Sequence, residues 1–214
     1  MFKQRLTENA KDILGLLNQI TPKRSYIAGG TGLALWLDHR NSYDLDIYSP
    51  TEFVVEEISR NFEFKIPEFR LISTSWQTIH GKSKDTELSL FFYPYKLLKE
   101  TEPFLDFEIA SIEDITAMKL EAIAGRGLKR DFFDLYKIMQ FKGWDLKAIL
   151  DLHESKYERK GDFTPHLLRS LTYFGDAEQT AERATEVETE WGVIKDFFIK
   201  AVSTQSTSIF NLQA

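Results

Sequence analysis

The chain has 214 residues, of which 43% are hydrophobic, and it carries a formal net charge of −6 at pH 7. It contains no cysteine, which excludes disulfides, thiolate metal sites and a thiol nucleophile. The negative net charge argues against a general nucleic-acid binder, which needs an excess of Lys and Arg to neutralise phosphates, but it leaves room for one local basic patch.

The first residues, Met1-Phe-Lys-Gln-Arg-Leu6, lack the apolar run of a signal peptide, and no later stretch is apolar enough to span a bilayer. We therefore expect a cytoplasmic protein with no membrane partner. Strands mixed with helices are predicted in the first half of the chain, from apolar periodicity and from the residues that interrupt it. They are a helix over 6–20, a strand over 25–28, a helix over 33–37, a strand over 43–48, a helix over 53–62, and strands over 69–76, 87–92 and 104–109.

From Ser111 onward the pattern becomes helical. Ser111-Ile-Glu-Asp114 is typical of a capping box, and Thr164-Pro165 is typical of a helix start. Helices are predicted over 112–124, 130–142, 145–153, 165–173 and 188–202. This order of elements predicts the α+β class, with a mixed sheet and helices in residues 1–110 and an all-helical region in residues 111–214.

The predicted strand over 43–48 carries Asp44-Leu-Asp46. Alternate side chains of a strand point to the same face, so both carboxylates project in one direction. Two carboxylates so close repel each other unless a cation or a proton lies between them, and Mg²⁺ prefers such oxygen ligands. A strand end whose aspartates simply face water remains an alternative.

A glycine cluster, Gly29-Gly-Thr-Gly32, precedes these acids. Glycines permit a turn after the strand over 25–28, and the N–H groups at the start of the next helix favour an anion. Thr31 either adds a hydroxyl contact to that anion or caps the helix. The cluster and the acid pair together predict a phosphate site beside a metal site, which is an arrangement for transferring a phosphoryl or nucleotidyl group.

Five segments carry a family resemblance: residues 29–35, 39–42, 44–46, 119–126 and 129–136. In order and spacing they resemble the AbiEii-type nucleotidyltransferase toxin family, part of the DNA polymerase β-like nucleotidyltransferase superfamily. The resemblance implies a nucleotidyltransferase-like sheet in the first 110 residues, and Mg²⁺ or Mn²⁺ as the cofactor.

The resemblance also implies roles for individual residues. The nucleotide would be bound by Gly29, Gly30, Thr31, Arg40, Ser42 and Lys119. The metal would be held by Asp44 and Asp46, and these two acids with Lys119 and Asp131 would form the catalytic set. Asp134, three residues after Asp131, is interpreted as a brace for a basic residue.

Many members of the superfamily have a third carboxylate on a neighbouring strand, and this chain has no obvious equivalent. Glu87 is the first choice as a third metal ligand, and Asp106 and Glu108 are its rivals. If none of them serves, Asp131 is the remaining candidate for the base.

We interpret the chain as a metal-dependent nucleotidyltransferase that moves a nucleoside monophosphate from an NTP to an acceptor hydroxyl. The acceptor is an RNA 3′ end, a protein hydroxyl or a small molecule, and the family resemblance extends to a toxin with a cognate antitoxin. Three alternatives stay open: a catalytically impaired nucleotide-binding or regulatory protein, a small-molecule phosphotransferase, and a purely structural module.

Overall fold

The computed structural model describes residues 1–159, 163–182 and 184–211. The chain divides into two units, Met1–Ser111 and Ile112–Ala214. The first unit combines a seven-stranded sheet with helices, whereas the described residues of the second unit form helices and their connections. The predicted α+β class is therefore confirmed.

The elements of the first unit follow a short 3₁₀ helix, Lys3–Arg5. They are α1 (Glu8–Leu17), β1 (Tyr26–Ile27), α2 (Gly29–Leu37), β2 (Asp44–Ser49), α3 (Val55–Lys65), β3 (Phe69–Ser75), β4 (Thr78–Ser83), β5 (Thr86–Phe92), β6 (Glu102–Phe104) and β7 (Phe107–Ile109). Thr7 caps α1, because its side chain accepts a hydrogen bond from the Ala10 amide at 3.1 Å.

The strands lie in the order β3-β4-β5-β2-β1-β7-β6. β2 is parallel to β5 and β1 is parallel to β7, while the other neighbouring pairs are antiparallel. The register between β2 and β5 places Glu87 beside Asp44 and Ser89 beside Asp46. Residues paired in register have their side chains on the same face of a sheet, so these four polar side chains share one face.

The opposite face of the sheet is apolar. Leu45 and Ile47 of β2 alternate with the aspartates and are buried. Their cluster of buried residues also contains Leu88, Leu90, Ile79, Ile27, Ile13, Leu17 and Phe62, which come from the neighbouring strands and from α1 and α3. Burial of this face against two helices leaves the polar face for chemistry.

Two strand predictions were wrong in detail. β4 was not predicted, because Thr78-Ile-His-Gly-Lys-Ser83 has Ile79 as its single large apolar residue. The two-residue turns on either side of β4 contain Gln77 and Lys84 at positive φ, instead of the glycine that usually marks such turns. The predicted strand over 104–109 is a hairpin of β6 and β7, with Leu105 at a φ of 54° in its turn.

The elements of the second unit are α4 (Ile112–Gly125), α5 (Lys129–Lys142), α6 (Leu146–Tyr157), α7 (Thr164–Ser170), α8 (Gly175–Gln179) and α9 (Thr185–Asn211). Asp145 caps α6, and Pro165 lies in the first turn of α7 as the sequence predicts. Leu120, Phe132, Ile149, Ile194 and Phe198 are fully buried in a core cluster that belongs to this unit. Over the described residues, no helix combines the length and the apolar character that crossing a membrane requires.

Candidate active site

Asp44 and Asp46 occupy the first and third positions of β2, and both are half-buried. Their carboxylates lie on the polar face of the sheet, opposite the buried side chains of Leu45 and Ile47. Because they are half-buried, the two carboxylates remain accessible to a ligand. Partial burial also reduces screening by water, which strengthens the repulsion between them.

Helix α2 begins at Gly29, directly after the short strand β1, and Ala28 is its N-cap. The Ala28 amide donates a hydrogen bond to the carbonyl oxygen of Asp46 at 3.2 Å, which joins the helix start to β2. Gly29 has a φ of +63°, and a Cβ atom placed on it would lie 2.6 Å from Oδ2 of Asp46. The Asp46 carboxylate therefore lies against the first residue of α2, in space that any other residue at position 29 would fill.

Gly30 is crowded in the same way by Arg40 and Ser42. A Cβ atom on Gly30 would lie 2.5 Å from Nη2 of Arg40 and 3.2 Å from Oγ of Ser42. Arg40 is only 5% exposed, and its Nη1 donates to the carbonyl oxygen of Asn41 at 3.0 Å. The start of a helix carries a partial positive charge, and the Arg40 guanidinium beside it adds a full one. Together these charges favour binding of an anion at this corner.

The loop that carries Arg40 is anchored by Arg5. Nη1 of Arg5 donates to Oδ1 of Asn41 at 2.7 Å, and Nη2 donates to the carbonyl oxygen of Asp38 at 2.8 Å. Nε of Arg5 also pairs with the carboxylate of Asp38. These contacts hold the loop between α2 and β2 in place.

Thr31 is buried and bonded to the strand that carries the acid pair. Its hydroxyl donates to the carbonyl oxygen of Asp44, and the residue is 2% exposed. The capping interpretation was wrong, since Ala28 is the N-cap of α2. Thr31 thus joins helix α2 to the strand that carries the acids. Its role as a phosphate ligand stays a prediction.

The acid pair fits a divalent cation that keeps part of its water. Glu87 is half-buried and pairs in register with Asp44, but the described part of the chain contains no group of three or more His, Asp or Glu side chains placed to hold a metal. Two oxygen ligands, with water and substrate phosphates completing the coordination, are what Mg²⁺ commonly uses. Of the rivals to Glu87, Asp106 lies in the β6–β7 turn beside Gly15 of α1.

His80 and Ser89 were not predicted as site residues. Oγ of Ser89, which lies beside Asp46 in the β2–β5 register, is 3.0 Å from Nδ1 of His80 on β4. The sequence did not indicate His80, because it lies in β4, the strand that the apolar pattern did not predict. A hairpin alignment of residues 78–83 with 86–92 is the feature that would have placed His80 on the polar face.

Lys119, Asp131 and Asp134 form a buried cluster within the second unit. Nζ of Lys119 is 2.9 Å from Oδ1 of Asp131 and 2.7 Å from Oδ2 of Asp134, and all three side chains are at most 7% exposed. Arg126 reaches Oδ2 of Asp131 at 3.4 Å from a largely exposed position. Asp134 braces Lys119, as its spacing in the sequence suggested.

Two further ion-paired groups connect α4 to α6. Asp114 and Lys156 are 2.6 Å apart with fully buried side chains, and burial lowers the pKa of Lys156 although Asp114 opposes that change. Glu121 lies 2.8 Å from Nε2 of His153 and 2.9 Å from Nη1 of Arg159. Burial alone raises the pKa of Glu121, but the hydrogen bonds and charges of His153 and Arg159 outweigh it and lower that pKa overall.

Several solved structures resemble the chain at low sequence identity. JHP933 from Helicobacter pylori aligns over 100% of both chains with a TM-score of 0.48 and 19% identity. MenT4, a nucleotidyltransferase toxin from Mycobacterium tuberculosis H37Rv, aligns over 81% of this chain and 65% of its own with a TM-score of 0.43 and 19% identity. The Megavirus polyadenylate synthase aligns over 64% of this chain and 33% of its own, with a TM-score of 0.42 and 15% identity.

Sequence comparison gives one relative at higher identity and one matching family. The protein aq_aa25 of Aquifex aeolicus (strain VF5) is 37% identical over 193 residues, which is 88% of this chain and 89% of that protein. The model of the family described as "Nucleotidyl transferase AbiEii toxin, Type IV TA system" matches residues 83–206. The matched residues include Glu87, Lys119 and Asp131, whereas Gly29 and the Asp44–Asp46 pair precede them.

Proposed function

Because the chain belongs to the AbiEii family of nucleotidyltransferase toxins, we propose that it transfers a nucleoside monophosphate from an NTP to an acceptor hydroxyl, with a divalent cation as cofactor. The observation that supports this most directly is the contact of the Asp46 carboxylate with Gly29, where a Cβ atom would approach to 2.6 Å. That contact joins a carboxylate pair suited to a metal with a helix start suited to polyphosphate.

Each residue of this corner has a part in the proposed reaction. The N–H groups at the start of α2 and the Arg40 guanidinium bind the phosphates, and the Ser42 hydroxyl donates a further hydrogen bond. Asp44 and Asp46 hold Mg²⁺ or Mn²⁺, which supplies charge neutralisation for the triphosphate and its leaving group. Positioning and charge stabilisation then carry most of the catalysis.

Lys119 and Asp131 are also proposed to be required for transfer, in accordance with their place in the matched family segment. Lys119 contacts nucleotide phosphates in this proposal, and Asp131 with Asp134 orients its ammonium group through the ion pairs of 2.9 and 2.7 Å. Lys119→Met is the matching test, because it removes the charge and keeps most of the side-chain volume. A Lys119→Met protein that folds and transfers at the wild-type rate would overturn this role.

The acceptor in this proposal is a hydroxyl of RNA, of a protein or of a small molecule, and the biological role is that of a toxin restrained by a cognate antitoxin. Family membership supports the toxin role, since the family as described consists of toxins of toxin–antitoxin systems. Production of the chain in growing cells, with and without a candidate antitoxin produced alongside it, measures that role separately from the chemistry.

The decisive experiment compares wild type with Asp46→Asn, using each α-labelled NTP, Mg²⁺, and total cellular RNA or protein as acceptor. We expect wild type to label an acceptor. The labelling rate of Asp46→Asn should be lower by about 100-fold or more, since metal-assisted charge stabilisation contributes several kcal/mol. Asp85→Asn, the same change at the exposed β4–β5 turn, is the matched control and should retain its activity. Equal labelling by wild type and Asp46→Asn would contradict the proposal.

A nucleotide-binding protein without turnover is the second candidate, because the described residues contain no group of three acids placed to hold a metal ion. Such a protein binds NTP with Mg²⁺ but releases no pyrophosphate when acceptors are added. A phosphotransferase is distinguished by repeating the assay with γ-labelled NTP, because it transfers label from the γ-position of the NTP and not from the α-position.

A further inference from the structure

A row of polar side chains crosses three strands on the polar face of the sheet. Asp46 of β2 pairs in register with Ser89 of β5, and Ser89 pairs in register with His80 of β4. Neighbouring strands are about 5 Å apart, so the backbone of His80 lies about 10 Å from that of Asp46 and its side chain points to the same side. One strand, β5, therefore lies between His80 and the strand that carries the proposed metal ligands.

The His80 ring is held by Ser89. Nδ1 of His80 lies 3.0 Å from Oγ of Ser89, which is only 8% exposed. Within the described part of the chain, no second hydrogen bond involves the His80 ring, which is half-buried. The tautomer in which Nδ1–H donates to Ser89 leaves Nε2 unprotonated, and hence able to accept a proton.

Transfer to a hydroxyl needs a group that accepts the hydroxyl proton, and four carboxylates of the proposed machinery are already engaged. Asp131 and Asp134 are buried and paired with Lys119, and Asp44 and Asp46 are assigned to the cation. A general base works best when it can change protonation state near the working pH, which histidine does. The charged groups around His80 on this face are Lys82 on its own strand, Glu87 on β5, Arg70 on β3 and Asp46 beyond Ser89.

We propose that His80 is the general base of the transfer reaction and that Ser89 is the residue that positions its ring. This inference rests on the proposed nucleotidyltransferase function. The acceptor oxygen forms a bond to the α-phosphorus as the bond from that phosphorus to the bridging β-phosphate oxygen breaks. Pyrophosphate leaves with the electron pair of the broken bond, and the acceptor proton moves to Nε2 of His80. His80 thus takes the part that a third carboxylate has in many members of the superfamily.

The test measures the initial transfer rate between pH 5 and 9 over a range of α-labelled NTP concentrations that reaches saturation, so that kcat and the KM for NTP are obtained separately. Total cellular RNA, total cellular protein and a small-molecule extract of cells are the acceptors in separate reactions. The variants are His80→Gln, Ser89→Ala and Ser89→Thr, with His166→Gln as the matched control. His166 is exposed on α7 and its Nε2 contacts the carbonyl oxygen of Ala124, so it lies outside the proposed machinery.

We expect His80→Gln to lower the transfer rate about 100-fold or more, the usual contribution of a general base, while the KM for NTP stays unchanged. The wild-type rate should rise with pH through one inflection, as general-base catalysis requires, and His80→Gln should lack that inflection. Ser89→Ala should be slower than wild type with the inflection retained, and Ser89→Thr, which keeps the hydroxyl, should restore most of the rate. His166→Gln should behave like wild type in rate and pH profile.

Several outcomes would overturn the inference. A His80→Gln protein that transfers at the wild-type rate, or retains the inflection, would remove His80 from the reaction and leave the proposed function standing. Loss of the inflection in Glu87→Gln but not in His80→Gln would assign the base to Glu87. If His80→Gln has the unfolding midpoint of wild type, its loss of rate cannot be attributed to misfolding. Absence of transfer by wild type to RNA, to protein and to the small-molecule extract would overturn the proposed function and this inference together.

Discussion

Gly29 and Asp46 illustrate how much single residues decide in this fold. The spacing of a glycine cluster and an Asp-x-Asp pair predicted that phosphate and metal sites are neighbours, and the Asp46 carboxylate does lie against Gly29. The sequence alone could not assign different tasks to the glycines and to Thr31. Gly29 lies beside the Asp46 carboxylate and has a φ of +63°, whereas the Thr31 hydroxyl donates a hydrogen bond to the carbonyl oxygen of Asp44. Such assignments depend on contacts between elements that local pattern does not contain.

Gly29→Ala should therefore cost more than backbone strain. An alanine at left-handed φ destabilises by about 1–2 kcal/mol, and here the new Cβ also displaces the Asp46 carboxylate. Gly143→Ala is the matched control, since Gly143 has a φ of +67° with nothing within 4 Å of its Cβ position. Both variants should lower the free energy of unfolding in urea, but only Gly29→Ala should also abolish transfer. Full activity in Gly29→Ala would show that the contact with Asp46 has no functional part.

At the scale of whole elements, β4 is the strand that sequence pattern missed, and it carries two informative residues. One is His80, and the other is Lys82, which lies directly opposite Arg70 of β3. Helices and strands with strong apolar periodicity, such as α1 and β5, were predicted, whereas β4 depends on its partners for its place in the sheet. Pairing between strands is a tertiary property, so a strand with one large apolar side chain is hard to predict from its own residues.

Arg70→Glu should stabilise the β3–β4 pair, and it leaves Lys82 opposite Glu87 on the other side of β4. Arg70 and Lys82 are both exposed and carry like charges at directly opposed positions, which is unfavourable, and the substitution makes the charges opposite. We expect a gain of about 0.2–1 kcal/mol in the free energy of unfolding at low salt, which shrinks as salt screens the pair. Lys23→Glu, an exposed change of equal charge outside any strand, is the control. Equal effects of the two variants would show that net charge, and not the cross-strand pair, is responsible.

The α4–α6 contact should have a measurable pH dependence through Glu121. His153 and Arg159 lower the pKa of Glu121 in the folded chain, in opposition to burial. A carboxylate with a depressed pKa adds stability above its unfolded pKa, and that stability is lost as pH falls through the folded value. Glu121→Gln should thus be less stable than wild type by about 1 kcal/mol at pH 7, with the difference shrinking below about pH 4.5. A difference that is constant between pH 7 and pH 3 in urea titrations would contradict the assignment.

For the molecule as a whole, the change from mixed elements to helices near residue 110 was predictable, because it rests on periodicity sustained over many residues. Each unit has its own core: one cluster runs from Leu6 to Ile109 and the other from Leu120 to Phe198. The match to the family begins within the first unit, at residue 83, and continues through most of the second. We propose that the units Met1–Ser111 and Ile112–Ala214 are separate folding domains.

A fragment of residues 1–111 should accordingly fold without the rest of the chain. Its length is typical of an independent domain, and it contains a complete core cluster, the seven-stranded sheet and the Gly29–Asp46 corner. We expect cooperative unfolding by circular dichroism and Mg²⁺-dependent binding of NTP that Asp46→Asn removes. We expect no transfer, because Lys119 and Asp131 are absent from the fragment. Non-cooperative unfolding would refute the domain proposal. Transfer by a cooperatively folded fragment would instead refute the need for Lys119 and Asp131, since the chemistry would then reside wholly in the first unit.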